Sequence, residues 1–539
     1  MRLPAAAHRW WPFLLVVAAY GAVALQQIHL PGVYMDAVNP DYMAVLILNR
    51  HHEQVLPWLL PGNLLLDRYP ILISYYHGSQ QLWLGLPFFW LFGTTVTGLR
   101  LTHAMFALGV LATMYAFVVR SGLKPWQAAL ACAALALDPS FSYAFRTQSY
   151  ITLAPAAWLF LALYSITRSV ESPDKQARWL FASGLFYGFA VVAYFIYAFF
   201  LPALLLALWW YRAMPRRAAA WLALLIGLLL GGWCYPVGYW LTVKQFGGVS
   251  AAWDYFQQTQ RALAAFSEQP DLATRVTHVA NIVGSVFRNW YHHTLIFGEY
   301  GDVPGGGFKM SMLLGLPLFL WARAEWRRQR PVALRVLVAL AASFMLVALL
   351  FGTRLSGHHF MVLLPLSYSA LALGVVALSN AAPGWRTATT TVALPFAALV
   401  ALNAGGQVKE ALQLREVRGA GLYSDAINHV AADLAARPTK PYVYLPDWGL
   451  YMPVAFLTGG RIALDSLDSY DAARRRLCEG RDVAVALVTG DRAARIAQWQ
   501  EKLRWDTAAT VIPYRQGDGK VVFELATFSG RRDGPGCSG

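Results

Sequence analysis

The sequence predicts a polytopic α-helical membrane protein that carries a small C-terminal α/β domain. Of its 539 residues, 57% are hydrophobic and 14% are charged, whereas about a quarter of the residues in an ordinary soluble domain are charged. Long apolar runs recur up to residue 404, and short strand and helix patterns alternate after that point. We therefore predict a membrane domain over residues 1–404 and an α/β domain over residues 405–539.

The apolar runs predict about eleven transmembrane helices. A helix of about 20 residues crosses the ~30 Å hydrocarbon core of a bilayer. Residues 82–92 form a shorter apolar segment interrupted by Pro87, which we expect to lie on the membrane surface as a helix. The predicted spans are residues 10–30, 101–119, 126–137, 151–166, two within 180–210, 218–241, 310–321, 332–351, 359–378 and 387–402.

The positions of the cations indicate how the chain is oriented. The formal net charge is +15, but the Lys and Arg residues separate the apolar runs instead of forming one patch, so the charge predicts no nucleic-acid partner. Positive residues favour the cytoplasmic ends of spans, so Arg2 and Arg9 place the N-terminus in the cytoplasm. Outer loops then cover residues 31–98 and 242–308. An odd number of spans places residues 405–539 outside, on the side of the membrane opposite the cytoplasm.

In the C-terminal region, short patterns alternate between helix and strand. Such alternation is typical of a mostly parallel sheet. No GxGxxG or P-loop is present, so nucleotide binding is not predicted. The four cysteines lack the spacing of a zinc site, and a disulfide between Cys478 and Cys537 stays open. The predicted helices are residues 424–436, 451–457, 470–479 and 492–503, and the predicted strands are residues 442–445, 462–464 and 483–488, followed by a hairpin at 517–519.

Two carboxylates follow the first predicted span closely, Asp36 and Asp41, in the sequence Tyr-Met-Asp-Ala-Val-Asn-Pro-Asp-Tyr-Met. A carboxylate that faces a water-filled cleft can accept a proton from a hydroxyl group, so both are candidate catalytic residues. Asn-Pro-Asp is also ordinary turn chemistry, and Asp41 could cap a helix. No acid lies inside a predicted span, which disfavours a proton-coupled transporter.

Further candidates lie at other predicted outer turns. Arg146, Arg354, His358 and His359 are cations or potential cations that could hold a lipid phosphate. Arg146 could instead extend its charge to the membrane surface without binding anything. Glu299 and Asp302 lie in a glycine-rich segment that could close over an acceptor or simply connect two helices.

Several short motifs occur in a characteristic order. They are the acidic outer turn, Gly98-Leu-Arg-Leu-Thr102, Arg146-Thr-Gln-Ser-Tyr150 and His359-Phe-Met-Val-Leu-Leu-Pro-Leu366. In this order they resemble the GT-C superfamily of integral membrane glycosyltransferases, on its protein mannosyltransferase-like and aminoarabinose transferase-like bacterial branch. The resemblance covers roughly residues 10–400.

The resemblance implies an inner-membrane glycosyltransferase, either a hexosyl- or a pentosyltransferase. Its donor would be a polyprenyl-phosphate sugar, and its acceptor a glycan, lipid or protein on the periplasmic side. The family's catalytic Asp in the first outer loop corresponds to Asp36. The second acid of many members is replaced here by Gln148, Ser149 and Tyr150. The resemblance does not decide whether a divalent cation is a cofactor. The sequence is also compatible with two other functions: a lipid-carrier flippase or transporter, and an envelope polysaccharide polymerase or ligase.

Overall fold

A large helical region occupies most of the chain, and a five-stranded sheet follows near the C-terminus. The structure is a computed structural model that describes residues 5–49, 59–215, 217–265, 270–298, 305–326, 331–380, 385–466, 469–488, 490–534 and Cys537.

The helical region contains twenty-one α-helices within the described residues. Two short antiparallel hairpins, β1 with β2 and β3 with β4, lie between the second and third of them. The helices are α1 (Ala5–Leu25), α2 (Ala44–Leu48), α3 (Gln80–Phe92), α4 (Val96–Arg120), α5 (Pro125–Ala136), α6 (Pro139–Ala144), α7 (Tyr150–Leu153), α8 (Ala156–Glu171), α9 (Gln176–Ala193), α10 (Leu201–Trp210), α11 (Ala218–Gly231), α12 (Cys234–Gln245), α13 (Val249–Ala265), α14 (Leu272–Phe287), α15 (Trp290–Phe297), α16 (Gly306–Met310), α17 (Leu316–Trp326), α18 (Val332–Leu350), α19 (Gly357–Phe360), α20 (Leu363–Asn380) and α21 (Trp385–Val417), and the strands are β1 (Leu64–Leu65), β2 (Tyr69–Pro70), β3 (Leu72–Ser74) and β4 (His77–Gly78).

Several of these helices are suited to a bilayer, and the chain is a membrane protein. In the described part of the chain, four helical segments are long and apolar enough to cross a membrane, and α11 and α12 make a fifth if this pair, bent by 51°, is one span. Three apolar helices are shorter, so the total of eleven crossings stays a prediction. The four segments are Val96–Arg120, Tyr150–Glu171, Val332–Leu350 and Gly357–Ser379.

The segment predicted as the second outer loop, residues 242–308, contains several helices. Most of the described residues in 242–308 form helices α13 to α16. Helix α21 continues through residue 405, where the sequence changes from apolar to charged, because a helix that leaves a membrane can keep its backbone hydrogen bonds in water. The predicted boundary at residues 404 and 405 therefore lies inside a continuous helix.

The C-terminal region is an α/β domain, as predicted, but its sheet is mixed. The strand order is β6-β5-β7-β9-β8, in which β5 pairs in parallel with β6 and β7 while β9 is antiparallel to β7 and β8. Cys478 and Cys537 form a disulfide. The strands are β5 (Tyr442–Tyr444), β6 (Leu464–Asp465), β7 (Val483–Leu487), β8 (Thr510–Arg515) and β9 (Val521–Phe528), and the helices are α22 (Ala426–Ala436), α23 (Tyr451–Leu457), α24 (Tyr470–Cys478) and α25 (Arg492–Leu503).

The segment after α1 and the α/β domain share one hydrophobic core. Val38 and Tyr42 from this segment are fully buried in the same cluster as Ile427, Leu450 and Phe456 of the domain. Apolar surface removed from water in this way stabilises the docked arrangement by roughly 25 cal/mol per Å². The acidic turn predicted from the sequence is therefore fixed between the helical region and the α/β domain.

Helices α9 and α11 pack closely, and α9 ends directly before Tyr194, which lines the cleft described below. Their contact depends on glycine: a Cβ atom at Gly227 would collide with the carbonyl oxygen of Phe181. Small residues of this kind allow the backbones of membrane helices to approach each other.

We expect Gly227→Ala to destabilise the protein by about 1–3 kcal/mol, the usual cost of overpacking. The measurement is the thermal unfolding midpoint in detergent. Gly109→Ala is the matched control, because Gly109 also lies in a helix but has no atom within 4 Å of its added Cβ. Equal midpoints for the two variants would contradict the close contact.

Candidate active site

A cleft of about 630 Å³ opens between the helical region and the α/β domain. One side carries Asp36 and Asn39 of the acidic turn, and another carries the turn between β3 and β4. The α/β domain contributes residues that follow β5 and β6. This is the size of a cavity that holds a small organic ligand.

Asp36 lies on the cleft in a short 3₁₀ turn, Met35–Ala37, and its side chain is partly exposed. Asn39 Nδ2 donates a hydrogen bond to Asp36 Oδ1 at 3.1 Å. Burial raises the pKa of the Asp36 carboxyl above its ordinary value, and the hydrogen bond from Asn39 opposes this shift. A carboxylate with a raised pKa in a cleft is suited to accept a proton.

The backbone just before Asp36 is strained. Met35 has a φ of +46°, a left-handed conformation that an unbranched L-residue adopts rarely. Its N–H donates to the carbonyl oxygen of Gly449 at 3.0 Å, and the Trp448 indole N–H lies 3.1 Å from the Met35 sulfur. The α/β domain therefore holds the strained turn that presents Asp36.

Asp41 lies away from the cleft and is fully buried. Its Oδ2 lies 3.0 Å from His103 Nε2 and accepts a hydrogen bond from the Tyr150 hydroxyl at 2.5 Å. The His103 and Tyr150 rings are stacked with their centroids 3.7 Å apart. These contacts join three separate segments of the chain. They favour a structural role for Asp41, which the sequence allowed to be either a catalytic residue or a turn residue.

Arg146 is also buried, and its guanidinium faces the C-terminal end of α1. Its Nη2 donates to the carbonyl oxygens of Val23, Ala24 and Gln26 at 2.9, 3.1 and 2.6 Å, and its Nη1 donates to that of Leu30 at 3.1 Å. A cation at the C-terminus of a helix stabilises the unpaired carbonyl groups there. These contacts favour helix capping for Arg146 over phosphate binding.

The predicted histidine pair lies behind the cleft. His358 Nδ1 lies 3.3 Å from both Gln148 Nε2 and the Tyr291 hydroxyl, and His359 Nε2 lies 3.2 Å from the Tyr194 hydroxyl. Tyr194 itself lines the cleft, so this polar cluster reaches the cleft through Tyr194.

The remaining sequence candidates are Arg354, Glu299 and Asp302. Arg354 is exposed on the turn before α19. Glu299 and Asp302 lie outside the described residues. Within the described chain, no group of three or more His, Cys, Asp or Glu side chains is arranged to hold a metal ion, so we assign no step to a divalent cation.

Sequence reasoning missed several residues of the cleft. His77 is buried at its wall, and burial lowers its pKa to about 3, so the imidazole is neutral near pH 7. Asp447, Trp448 and Asp465 line the opposite side. The sequence did contain a signal for Asp447, Trp448 and Asp465. They lie at or shortly after the ends of parallel strands, where α/β proteins bind ligands.

Comparison with known proteins shows which fold this helical region and its α/β domain share with other proteins. Residues 80–240 match the family model of dolichyl-phosphate-mannose-protein mannosyltransferases. The crystal structure of ArnT from Cupriavidus metallidurans in the apo state superimposes with a TM-score of 0.52 at 14% identity, covering 97% of this chain and 98% of that one. The chain therefore has the same fold as this ArnT structure.

A second solved structure shows the same likeness. ArnT from Cupriavidus metallidurans bound to undecaprenyl phosphate gives a TM-score of 0.51 at 15% identity, covering 95% of this chain and 97% of that one. No curated protein sequence matches the chain significantly. The GT-C resemblance and the fold class predicted from the sequence, helical membrane protein with a C-terminal α/β domain, are confirmed.

We expect Asp41→Ala to destabilise the protein strongly, because His103 and Tyr150 would lose their buried acceptor. Each unsatisfied buried group costs about 1–3 kcal/mol. The thermal unfolding midpoint in detergent tests this expectation. Asp36→Asn is the comparison, because Asp36 is partly exposed and this variant should have a midpoint close to that of the parent protein. An Asp41→Ala midpoint equal to that of the parent protein would contradict the structural role of Asp41.

Proposed function

We propose that the chain is a glycosyltransferase that moves a sugar from a polyprenyl-phosphate donor to an acceptor on the periplasmic side of the bacterial inner membrane. The observation that carries this proposal is the position of Asp36, a carboxylate with a raised pKa in a cleft at the end of the first apolar helix. The GT-C fold and its likeness to ArnT bound to undecaprenyl phosphate support the choice of donor.

The proposed reaction is a single displacement at the anomeric carbon. An acceptor hydroxyl oxygen forms the new bond while the bond from the anomeric carbon to the phosphate oxygen breaks. The electron pair of the broken bond goes to the lipid phosphate, and the hydroxyl proton goes to the Asp36 carboxylate. Attack from the side opposite the leaving group inverts the anomeric centre. Asp36 is the only carboxylate assigned to the chemistry, because Gln148 occupies the region where many family members carry a second acid.

We place the leaving phosphate on the side of the cleft formed by Tyr194. Its hydroxyl is joined to His359, and the neighbouring His358 contacts Gln148 and Tyr291. Hydroxyl and imidazole donors can stabilise the charge that develops on a phosphate oxygen. Arg354, which is exposed and close in sequence to His358, would contact the phosphate from the solvent side. Arg146 would support the site by fixing the end of α1.

The disulfide between Cys478 and Cys537 supports a periplasmic α/β domain. Disulfides persist in oxidising compartments and are rare in the cytosol. The exposed Trp90 and Leu91 at the end of α3, 77% and 66% accessible, suit a helix at the membrane surface beside this domain.

We expect Asp36→Asn to lower transfer by at least about 10²-fold, the scale of lost general-base catalysis. Membranes containing the variant would be incubated with radiolabelled polyprenyl-phosphate sugars, and label leaving the donor for an acceptor would be followed. Asp67→Asn is the control, because Asp67 is an exposed acid of the same outer segment that does not line the cleft.

Near-normal transfer by Asp36→Asn would reject Asp36 as the base. If the parent protein moves the labelled lipid across the membrane but transfers no sugar, the flippase alternative is favoured. Label that enters long polymers would favour a polysaccharide polymerase or ligase.

The pH profile of transfer gives a separate test of the base. Asp36 accepts a proton only when ionised, so activity should be present above its pKa and fall as the pH drops through it. Because burial raises this pKa, the acid limb should lie above the ordinary range of an Asp. Asn39→Ala removes a hydrogen bond to the ionised form, so its acid limb should move to higher pH. An unmoved limb would contradict the assignment.

A further inference from the structure

The wall of the cleft that faces Asp36 belongs to the α/β domain. Its residues follow β5 and β6, two strands that run parallel. Ligands of α/β domains bind outside the carboxyl ends of parallel strands, because the loops there converge and the backbone is not needed for sheet pairing. The most exposed large side chain in this wall is Trp448, which is 64% accessible.

Hydrogen bonds at Asp447 and at Trp448 hold the loop that carries the indole. Asp447 Oδ2 accepts a hydrogen bond from the backbone N–H of Val488 at 2.6 Å, and its Oδ1 pairs with Arg495 at 2.7 Å. The Tyr34 hydroxyl donates to the carbonyl oxygen of Trp448 at 3.0 Å. The indole is therefore presented to the cleft from a fixed backbone beside the turn of Asp36.

The charge of the cleft restricts what can bind there. Its described lining contains Asp36, Asp447 and Asp465 but no Lys or Arg. Asp447 is paired with Arg495. Away from the Tyr194 side, where the donor phosphate is placed, Asp36 and Asp465 disfavour an anionic acceptor, and the Asp36 carboxylate can accept a hydrogen bond from a hydroxyl or ammonium group. An exposed indole face packs against the C–H face of a sugar ring, which combines apolar contact with polar groups at the ring edge.

We propose that the loop of residues 445–449, together with residues 465–466, forms an acceptor subsite for a non-anionic saccharide, with Trp448 stacked on a sugar ring. This inference rests on the proposed function, because it names the acceptor class of the same cleft. The subsite places the ring beside Met35, so that a hydroxyl of the same or the next sugar reaches Asp36.

Saccharide binding without turnover tests the subsite. The full chain in lipid nanodiscs would be titrated with maltohexaose, a neutral hexasaccharide, and with hexagalacturonate, an anionic one of equal length, and saturation-transfer NMR would report binding. We expect the parent protein to bind maltohexaose and to bind hexagalacturonate at least about tenfold more weakly, since like charges disfavour the anionic chain.

Substitutions then locate the binding. Trp448→Ala should weaken maltohexaose binding about tenfold, the scale of one aromatic anchor, and Trp448→Phe should retain most of it. Trp90→Ala, which removes an exposed indole outside the cleft, should leave binding unchanged, and unfolding midpoints would show that every variant is folded. Equal binding by Trp448→Ala and the parent, preference for hexagalacturonate, or no saccharide binding by the parent would each overturn the subsite.

The two proposals fail separately. Because no donor is present, saccharide binding that depends on Trp448 supports the subsite even if no sugar transfer is ever detected, which would reject the proposed function alone. Transfer by a protein that binds neither hexasaccharide would reject the subsite alone.

Discussion

The hydrogen bond from the Met35 N–H to the carbonyl oxygen of Gly449 connects the two halves of the molecule at the point where the chemistry is proposed. It holds a left-handed residue directly before Asp36. Gly449 itself has a φ of +87°, and a Cβ atom there would collide with the ring of Tyr34. Strain of this kind persists only where the surrounding structure fixes it. The α/β domain is therefore part of the cleft and not an appendage to it.

Two buried carboxylates behind the cleft, Asp41 and Asp138, have polar partners, whereas Asp36 faces the cleft. Asp41 Oδ2 accepts a hydrogen bond from the Tyr150 hydroxyl and lies 3.0 Å from His103 Nε2. The Lys309 ammonium, fully buried, lies 2.6 Å from Asp138 Oδ1. Pairs of this kind are costly to break, because a lone buried charge is poorly solvated. They join the segments behind the cleft, while Asp36 faces the cleft with the neutral amide of Asn39 as its hydrogen-bond donor.

Much of the fold follows from local patterns in the sequence. The helices Tyr451–Leu457 and Arg492–Leu503 have the bounds that the sequence predicts, because their apolar spacing and flanking residues are local signals. The sequence also showed that Asp36 comes shortly after the first apolar run. The partners of Arg146 at the end of α1 and the approach of Trp448 to Met35, 413 residues away in sequence, depend on tertiary packing that no local pattern contains. The same packing turned the predicted mostly parallel sheet into a mixed one, because the final hairpin adds to β7 through β9.

The most direct test of the proposed mechanism is a structure of the full chain with a non-hydrolysable polyprenyl-phosphate sugar. We predict that the anomeric carbon lies in the cleft with room for an acceptor oxygen between it and Asp36, about 3–3.5 Å from the carbon, as a near-attack geometry requires. We also predict that the phosphate lies on the Tyr194 side of the cleft. A head group bound outside the cleft, with Asp36 beyond reach of any attacking hydroxyl, would contradict it.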